Sequence, residues 1–477
     1  MELGQIVRSG MRWSLGMRFL SQFFTWAITL YIIRILSPGD YGLMALAVVF
    51  MSFLSFVTDM GLGTAIVQKK DLKEEEIDTV FGFSLVLSLC ICGFQIGIAL
   101  YVADYYDEPE LFPILCILSL VFVISSLALV PGSLLRRDLS FKKLALTDFS
   151  TALCGSIVTL ILALLGMGVW ALVFGVITIR VSKLLILLYL RPYFRRPRFG
   201  FKGMLPILAF SGRVTLSHII WYFYASAAAP LVVGKVMGTV MLGYFNVALL
   251  LASLPMQKVS GIINHVMFPA FSSIQENVDL VGRHYLKAVR ILSFIAFPVF
   301  WGISSVAPEI VGVFLGQKWA PVEVPLALLA LVVPLRMVNI LISTVLLGLG
   351  RADVNLRNGL IALALLPPSF LVGVNWGLLG VSLVWVLVFP IVFILHMLNF
   401  VKVMQIRTRD TFKAMSLPVI IGLIMVLAVN GMEVLILDRL NIHLRLLLQI
   451  AIGVTVYTSL SYAFNRDNFI EVYRMKN

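Results

Sequence analysis

Apolar runs of about twenty residues follow one another from end to end of this chain, each closed by charges or by Gly and Pro. No other feature constrains the fold as strongly. A helix of that length rises about 30 Å, the thickness of a bilayer's hydrocarbon core. In lipid the backbone finds no water to bond, so each run must satisfy its own N–H and C=O groups as a helix. The runs predict about fourteen helices, at 13–35, 41–67, 79–103, 111–134, 144–165, 168–190, 205–234, 241–270, 286–315, 324–349, 356–373, 377–401, 414–435 and 446–464. The fold class is an all-α polytopic membrane protein. Charged residues make up only 13% of the chain, where a soluble chain carries about 25%, so most of its surface faces something other than water. The first run follows Arg8 and Arg12, is too long for a signal-peptide core and has no small-residue cleavage site after it. It reads as a retained first helix. Cys90, Cys92, Cys116 and Cys154 all fall in apolar stretches and read as buried small hydrophobes, not as metal ligands or disulfides.

Orientation follows from the 37 Lys and Arg residues. One set of alternate inter-helix segments holds 27 of them, and the opposite set holds five: Arg34, Lys235, Lys318, Arg439 and Arg445. The remaining five, Arg180, Lys183, Arg213, Lys258 and Arg336, fall within expected spans. The positive-inside rule then puts both termini in the cytoplasm. The same asymmetry accounts for the net charge of +13, and cations spread over short loops between helices do not form a nucleic-acid footprint. "ADYYDEPE" (103–110) and "GQKWAPVE" (316–323) are among the longest external connections, while "GMG" (166–168) is barely a turn. None has room for an external catalytic domain.

The chain also repeats itself. A shift of 201 residues sets "YGLMALA" (41–47) on "LGYFNVA" (242–248), with Gly42 on Gly243, Arg34 on Lys235 and Arg12 on Arg213. A shift of 209 sets "GVWALV" (168–173) on "GLLGVS" (377–382). Together they relate helices one to six to helices seven to twelve, as a parallel repeat about an axis along the membrane normal. The expected domains are an N-lobe (1–190), a basic cytoplasmic linker (191–204), a C-lobe (205–401) and a two-helix appendage with tail (402–477). Arg12 to Arg34 and Arg213 to Lys235 are each 22 residues, or about 33 Å of helix. Arg34 therefore reads as an interface anchor, with Ser37-Pro38-Gly39-Asp40 as the turn into helix two and Asp40 as its cap. The mixed-charge run "KKDLKEEEID" (69–78) reads as a solvated loop whose acids begin helix three favourably.

"LSPGDYGLMALA" after the first helix, "DMGLGTAIVQKK", "RRDLSFKKL", the GxGVWALV-like start of helix six and "APEIVGVFLGQKW" (307–319) resemble the polysaccharide transporter (Wzx-type) family of the multidrug/oligosaccharidyl-lipid/polysaccharide exporter superfamily, nearest its colanic-acid exporter subgroup. The resemblance spans essentially the whole chain. It implies two six-helix lobes around a central cavity, with two further helices, in the bacterial inner membrane. It also implies flipping of undecaprenyl-diphosphate-linked oligosaccharide by alternating access, driven by an H+ or Na+ gradient with no cofactor. The implied partners are the lipid-linked substrate, membrane lipids and other polysaccharide-assembly proteins.

A diphosphate and a polar sugar cross a bilayer only through a wet, cationic path, which directs attention to cations within spans. Arg336 lies mid-helix, too deep for easy snorkelling, with Asn339 on its face; the competing reading is an interhelical ion pair. Lys258 shares a face with Gly261 and His265, which suits a cavity wall or close helix packing equally. Arg18 and Arg213 stand a turn or so inside helices one and seven, while Arg180 and Lys183 suit snorkelling better than function. Arg34 and Lys235 offer a second cationic ring at the outer ends. His218, Trp221 and Tyr222 line one helical face, as a sugar-stacking surface or as core packing. Asp59, Asp148 and Glu309 are the acids available for ion coupling, though each also fits an ordinary helix-end carboxylate. A multidrug antiporter of the same superfamily would want acids deep in a lobe to hold organic cations. A polysaccharide polymerase or glycosyltransferase would want a large external loop, and a non-transporting scaffold leaves the repeat unexplained.

Overall fold

The computed structural model describes residues 25–59, 62–68, 73–199, 218–262, 267–435 and 440–464. Fourteen main helices run through it: α1 (Thr25–Ile35), α2 (Pro38–Asp59), α3 (Glu74–Tyr106), α4 (Leu111–Arg137), α5 (Phe141–Leu164), α6 (Val169–Leu190), α7 (218–237), α8 (239–262), α9 (Val278–Ser305), α10 (Glu323–Gly348), α11 (Ala352–Gly373), α12 (Gly377–Met404), α13 (Thr408–Leu435) and α14 (Ile442–Phe464). Eleven helical stretches are long and apolar enough to cross a membrane, and two of these, His218–Met256 and Ala352–Met404, each hold a pair of helices. Most boundaries fall within a few residues of those read from hydropathy.

Local chemistry explains where they differ. Helix α3 starts at Glu74 because three successive glutamates favour a helix N-terminus, and Glu76 accepts from the Lys73 backbone N–H at 3.2 Å. The expected second helix stops at Asp59, and a separate short helix covers Leu62–Gln68. The expected ninth helix ends at Ser305; Ala307–Ile310 and a π-helical turn at Val311–Leu315 complete it. Pro308 stands in the first turn after the break, where a residue lacking an N–H is tolerated. The cap of α2 also differs from expectation. Ser37 is the capping residue, its Oγ accepting from Asp40 N–H at 3.2 Å, while Asp40 Oδ2 accepts from the Ser37 backbone at 2.8 Å. Pro38 fills the first helical position.

Two compact units emerge, one of Met1–Tyr222 with Gly238–Gly243 and one of Phe223–Met237 with Tyr244–Asn477. The boundary lies inside α7, beyond the basic linker. In the first unit α3 packs along α4, pinned by Gln95 Nε2 donating to the Leu115 carbonyl at 2.7 Å, and α5 packs along α6. In the second, α9 is central, contacting α10 and α13. Trp301 Nε1 donates to Leu331 O at 3.0 Å and Tyr457 of α14 donates to Phe294 O at 2.8 Å. Helices α13 and α14 are thus integral to the second unit, sharing a buried cluster of Ile421, Met425 and Tyr457 with Phe294 and Trp301 of α9.

The internal repeat is visible in the backbone. The helical stretch Ala228–Ile262 breaks at Gly238, whose φ is 81°, and the 201-residue shift lays Gly238 on Ser37, where α1 gives way to α2. Within the first unit, Gly42 lies against the Thr239 carbonyl and Gly243 against the Pro38 carbonyl. The same shift interchanges the two contacts. A methyl group at either glycine would overlap the opposing carbonyl oxygen. The second match behaves alike: Gly168 (φ 55°) precedes α6 and Gly377 (φ 67°) begins α12.

Candidate functional site

In the second unit one seam, where α10, α11 and α12 meet, gathers polar groups inside otherwise apolar helices. Its first member is Arg336, two residues beyond Pro334 of α10. The guanidinium carbon lies 4.5 Å from the ring centroid of Trp385 on α12. Trp385 is fixed by Phe370 of α11 at 5.5 Å and Phe389 at 5.9 Å, and its buried indole N–H has no acceptor among the described residues. Tyr224, in the π-helical turn Phe223–Ala227, is within electrostatic reach of Arg336. Among the described residues no carboxylate forms an ion pair with Arg336. The interhelical ion pair weighed from the sequence is therefore not what holds this charge. A desolvated cation–π contact contributes about 2 kcal/mol, against several kcal/mol for withdrawing a guanidinium from water. The contact leaves five N–H donors and a net positive charge available to an anionic ligand.

One turn along α10, the Asn339 side chain lies 2.9 Å from His396 Nδ1 of α12. His396 is almost fully buried, and its Nε2 lies 2.7 Å from the Asn358 backbone carbonyl on α11. Asn399 Nδ2 donates to Asn358 Oδ1 at 2.8 Å, and Ser343 Oγ donates to Asn355 Oδ1 at 2.7 Å. The result is a polar ladder running from Arg336 toward the Met404 end of α12. Asn355, Asn358, His396 and Asn399 escaped a reading directed at charge. Their signal was the pairs N-x-x-N and H-x-x-N, each placing two polar side chains on one helical face.

The other expected site residues are placed as follows. Arg34 is exposed at the end of α1, and Lys235 is exposed three residues before the Gly238 break. Tyr222 is 7% exposed, packs on Phe56 and donates its hydroxyl to the Val49 carbonyl at 2.8 Å. His218 stacks on the same Phe56 ring with centroids 6.1 Å apart, and Trp221 is exposed. Tyr222 is thus core packing, since its ring is covered and its hydroxyl engaged. Asp148 pairs with Lys183 at 2.8 Å on an exposed surface, which accounts for both residues. Glu309, 1% exposed, is held by Arg445 of α14 at 2.6 Å and by Gln449 Nε2 at 3.2 Å. Arg180 is exposed on α6. Arg18, Arg213 and His265 lie outside the described residues, as do the side chains of Asp59 and Lys258.

In the first unit the acids that open α3 are more than a solvated run. Glu74 pairs with Arg195 at 2.6 Å and Glu75 with Arg198 at 3.0 Å. The Arg198 backbone N–H donates to the Asp78 carbonyl at 3.0 Å, and Tyr193 donates to Asp78 Oδ1 at 2.7 Å. Burial and that hydrogen bond push the Tyr193 phenol above its ordinary range, keeping it protonated as a donor. The basic linker is thereby strapped along the start of α3, where Gly82 leaves room for the Arg198 carbonyl.

The sequence profile of a family described as polysaccharide biosynthesis protein matches residues 32–324. The lipopolysaccharide biosynthesis protein WzxC of Escherichia coli (strain K12) is 26% identical over 358 residues, covering 74% of this chain and 73% of that protein. The teichuronic acid biosynthesis protein TuaB of Bacillus subtilis (strain 168) is 24% identical over 412 residues, 85% of this chain and 84% of its own. Among solved structures, the lipid II flippase MurJ in an inward closed conformation superposes with a TM-score of 0.71 at 17% identity, covering 94% of this chain and 98% of that one. A multidrug resistance MATE family transporter of the MOP superfamily, in an inward-facing conformation, superposes with a TM-score of 0.64 at 18% identity, over 80% and 94%. The fold is the one these two transporters share.

Proposed function

The chain belongs to the polysaccharide biosynthesis protein family, and we propose that it is a flippase moving undecaprenyl-diphosphate-linked oligosaccharide repeat units from the inner to the outer leaflet of the bacterial inner membrane. The observation that carries this reading is Arg336, a guanidinium within apolar helices, laid on Trp385 and lacking a carboxylate partner among the described residues. Intramembrane charge of this kind is costly and is found where a substrate or ion pathway needs it. A guanidinium presents a planar fork of donors that fits two phosphate oxygens at once. The Trp385 face holds that plane, and the unused Trp385 N–H adds a donor beside it. The asparagine ladder supplies donors and acceptors of the kind sugar hydroxyls exchange with. Alternating access would carry the loaded site from one face of the membrane to the other, with an H+ or Na+ gradient resetting it. The excess of cations on one set of loops supports cytoplasmic termini.

The drug-antiporter reading is weaker on the same seam. In α10, α11 and α12 the only carboxylates are Glu323 and Asp353, both at helix starts. An organic cation would meet Arg336 with no deep acid to offset it. The test is deletion of the gene followed by analysis of lipid-linked glycans. Accumulation of a completed repeat unit on its lipid diphosphate, accessible only from the cytoplasmic face, is the expected result. Unchanged surface polysaccharide and no such intermediate would refute the proposal.

A further inference from the structure

The geometry of His396 fixes more than packing. The Asn358 carbonyl can only accept, so Nε2 of the ring carries a proton. Nδ1 faces the side-chain amide of Asn339 at 2.9 Å, and that amide has an oxygen on one side and an NH2 on the other. With the oxygen toward the ring, Nδ1 must also bear a proton and the imidazole is a cation. With the ring neutral, the amide must turn over and donate its NH2 to Nδ1. Each protonation state therefore requires its own Asn339 orientation. In the cationic state the NH2 of Asn339 points away from the ring; in the neutral state the carbonyl does.

Asn339 stands one helical turn beyond Arg336 on the same face of α10, on the His396 side of the polar ladder. We infer that His396 and Asn339 form a proton-binding site linked to the Arg336 anion site: a diphosphate bound at Arg336 takes up a proton at His396, and protonation of His396 tightens diphosphate binding. This rests on the reading of Arg336 as a diphosphate site. The sign follows from charge, because an anion in the same seam favours an imidazolium there, and linkage makes the effect reciprocal.

Among the described residues the surrounding ionisable groups do not supply another proton acceptor. From α10 the group facing the seam is Arg336, with Tyr224 beside it; from α9 it is Tyr285, whose ring packs on Phe400. Asp353 and Arg357 of α11 and Lys402 of α12 are exposed. Asp353 is paired with Arg351 at 3.0 Å, and Asp410 stands in the first turn of α13. Of the described groups facing the seam, His396 is the one imidazole. Eleven residues separate Trp385 from His396 on α12, an axial offset of about 16 Å. At that separation a doubly charged anion shifts proton affinity by about thirtyfold at the dielectric usual for protein sites.

The test uses the full-length protein in nanodiscs with farnesyl diphosphate as probe, by calorimetry at pH 7 and pH 5 in buffers of different ionisation heat. Wild type is expected to bind several-fold more tightly at the lower pH than the His396→Gln variant does, after both are normalised at pH 7, and to take up a proton on binding that the variant does not. In parallel, 15N-histidine NMR of wild type is expected to show one of its five imidazoles, the one missing from the variant, gaining a proton when the probe is added. Equal pH dependence in the two proteins, or an imidazole unmoved by the probe, overturns the linkage even with binding intact. Binding that is absent, or that survives Arg336→Gln undiminished, overturns the underlying diphosphate reading instead and takes the linkage with it.

Discussion

Arg336 and Arg445 are two arginines of the same unit, both set among apolar helices, and they are kept in opposite ways. Arg445 is tied to Glu309, which is 1% exposed, at 2.6 Å, with Gln449 closing the group. Arg336 rests on an indole and pairs with no carboxylate among the described residues. The first arrangement neutralises its charge within the protein and ties α14 to the segment after α9. The second is complete only when something negative arrives. The contrast separates a charge retained for architecture from one retained for a ligand, which neither depth nor residue type alone can do.

Substitutions at the two arginines should therefore fail differently. Arg445→Met leaves Glu309 buried and uncompensated, and we expect a loss of about 3–5 kcal/mol in stability, read as reduced protein in the membrane and a lower Tm in detergent. Pairing it with Glu309→Leu should restore stability to within about 1 kcal/mol, since an apolar pair replaces an ionic one at little cost. Failure of that rescue would make the pair functional and break the comparison. Arg336→Lys keeps the charge but loses the planar contact with Trp385; export should fall about tenfold at unchanged abundance, matching roughly 1–2 kcal/mol of lost cation–π and bidentate bonding. Tyr222→Phe removes one buried hydrogen bond to Val49 and should cost about 1 kcal/mol in stability with export intact. Smallest of all, Asp148→Asn, at an exposed pair with Lys183, should change stability by less than about 1 kcal/mol and leave export alone. A transport defect there would return Asp148 to ion coupling.

Much of the fold was legible because its signals are local and periodic. Hydropathy located the helices, and glycine spacing located the repeat, whose register reappears in the break at Gly238 opposite Ser37 and in the exchanged contacts of Gly42 and Gly243. The break after Ser305 was missed because the apolar run resumes at once after Pro308 and Glu309 and continues to Leu315. Asp40 was expected to cap α2, but spacing alone does not distinguish it from Ser37, which bonds in the capping position. At the site, Arg336 stood out as a charge in an apolar run. Its lack of a counter-ion did not, since that depends on which helices meet. Glu309 and Arg445 are 136 residues apart, and Tyr193 and Asp78 are 115 apart, so no periodicity joins them. The His396 ladder was overlooked for a different reason. Asparagine and histidine add nothing to a count of Lys and Arg, so a search for cations passes over them, and their i, i+3 spacing is what marks them.

The most direct test of the account is Arg336→Ala in the producing cell, with surface polysaccharide, lipid-linked precursor and membrane abundance of the protein measured together. Polysaccharide export is expected to fall by about a hundredfold or more, as for about 3 kcal/mol of lost diphosphate stabilisation within the membrane. Precursor should accumulate while the protein stays at its wild-type level. Full export by the variant at normal abundance would contradict the claim that this unpaired guanidinium carries the substrate's diphosphate.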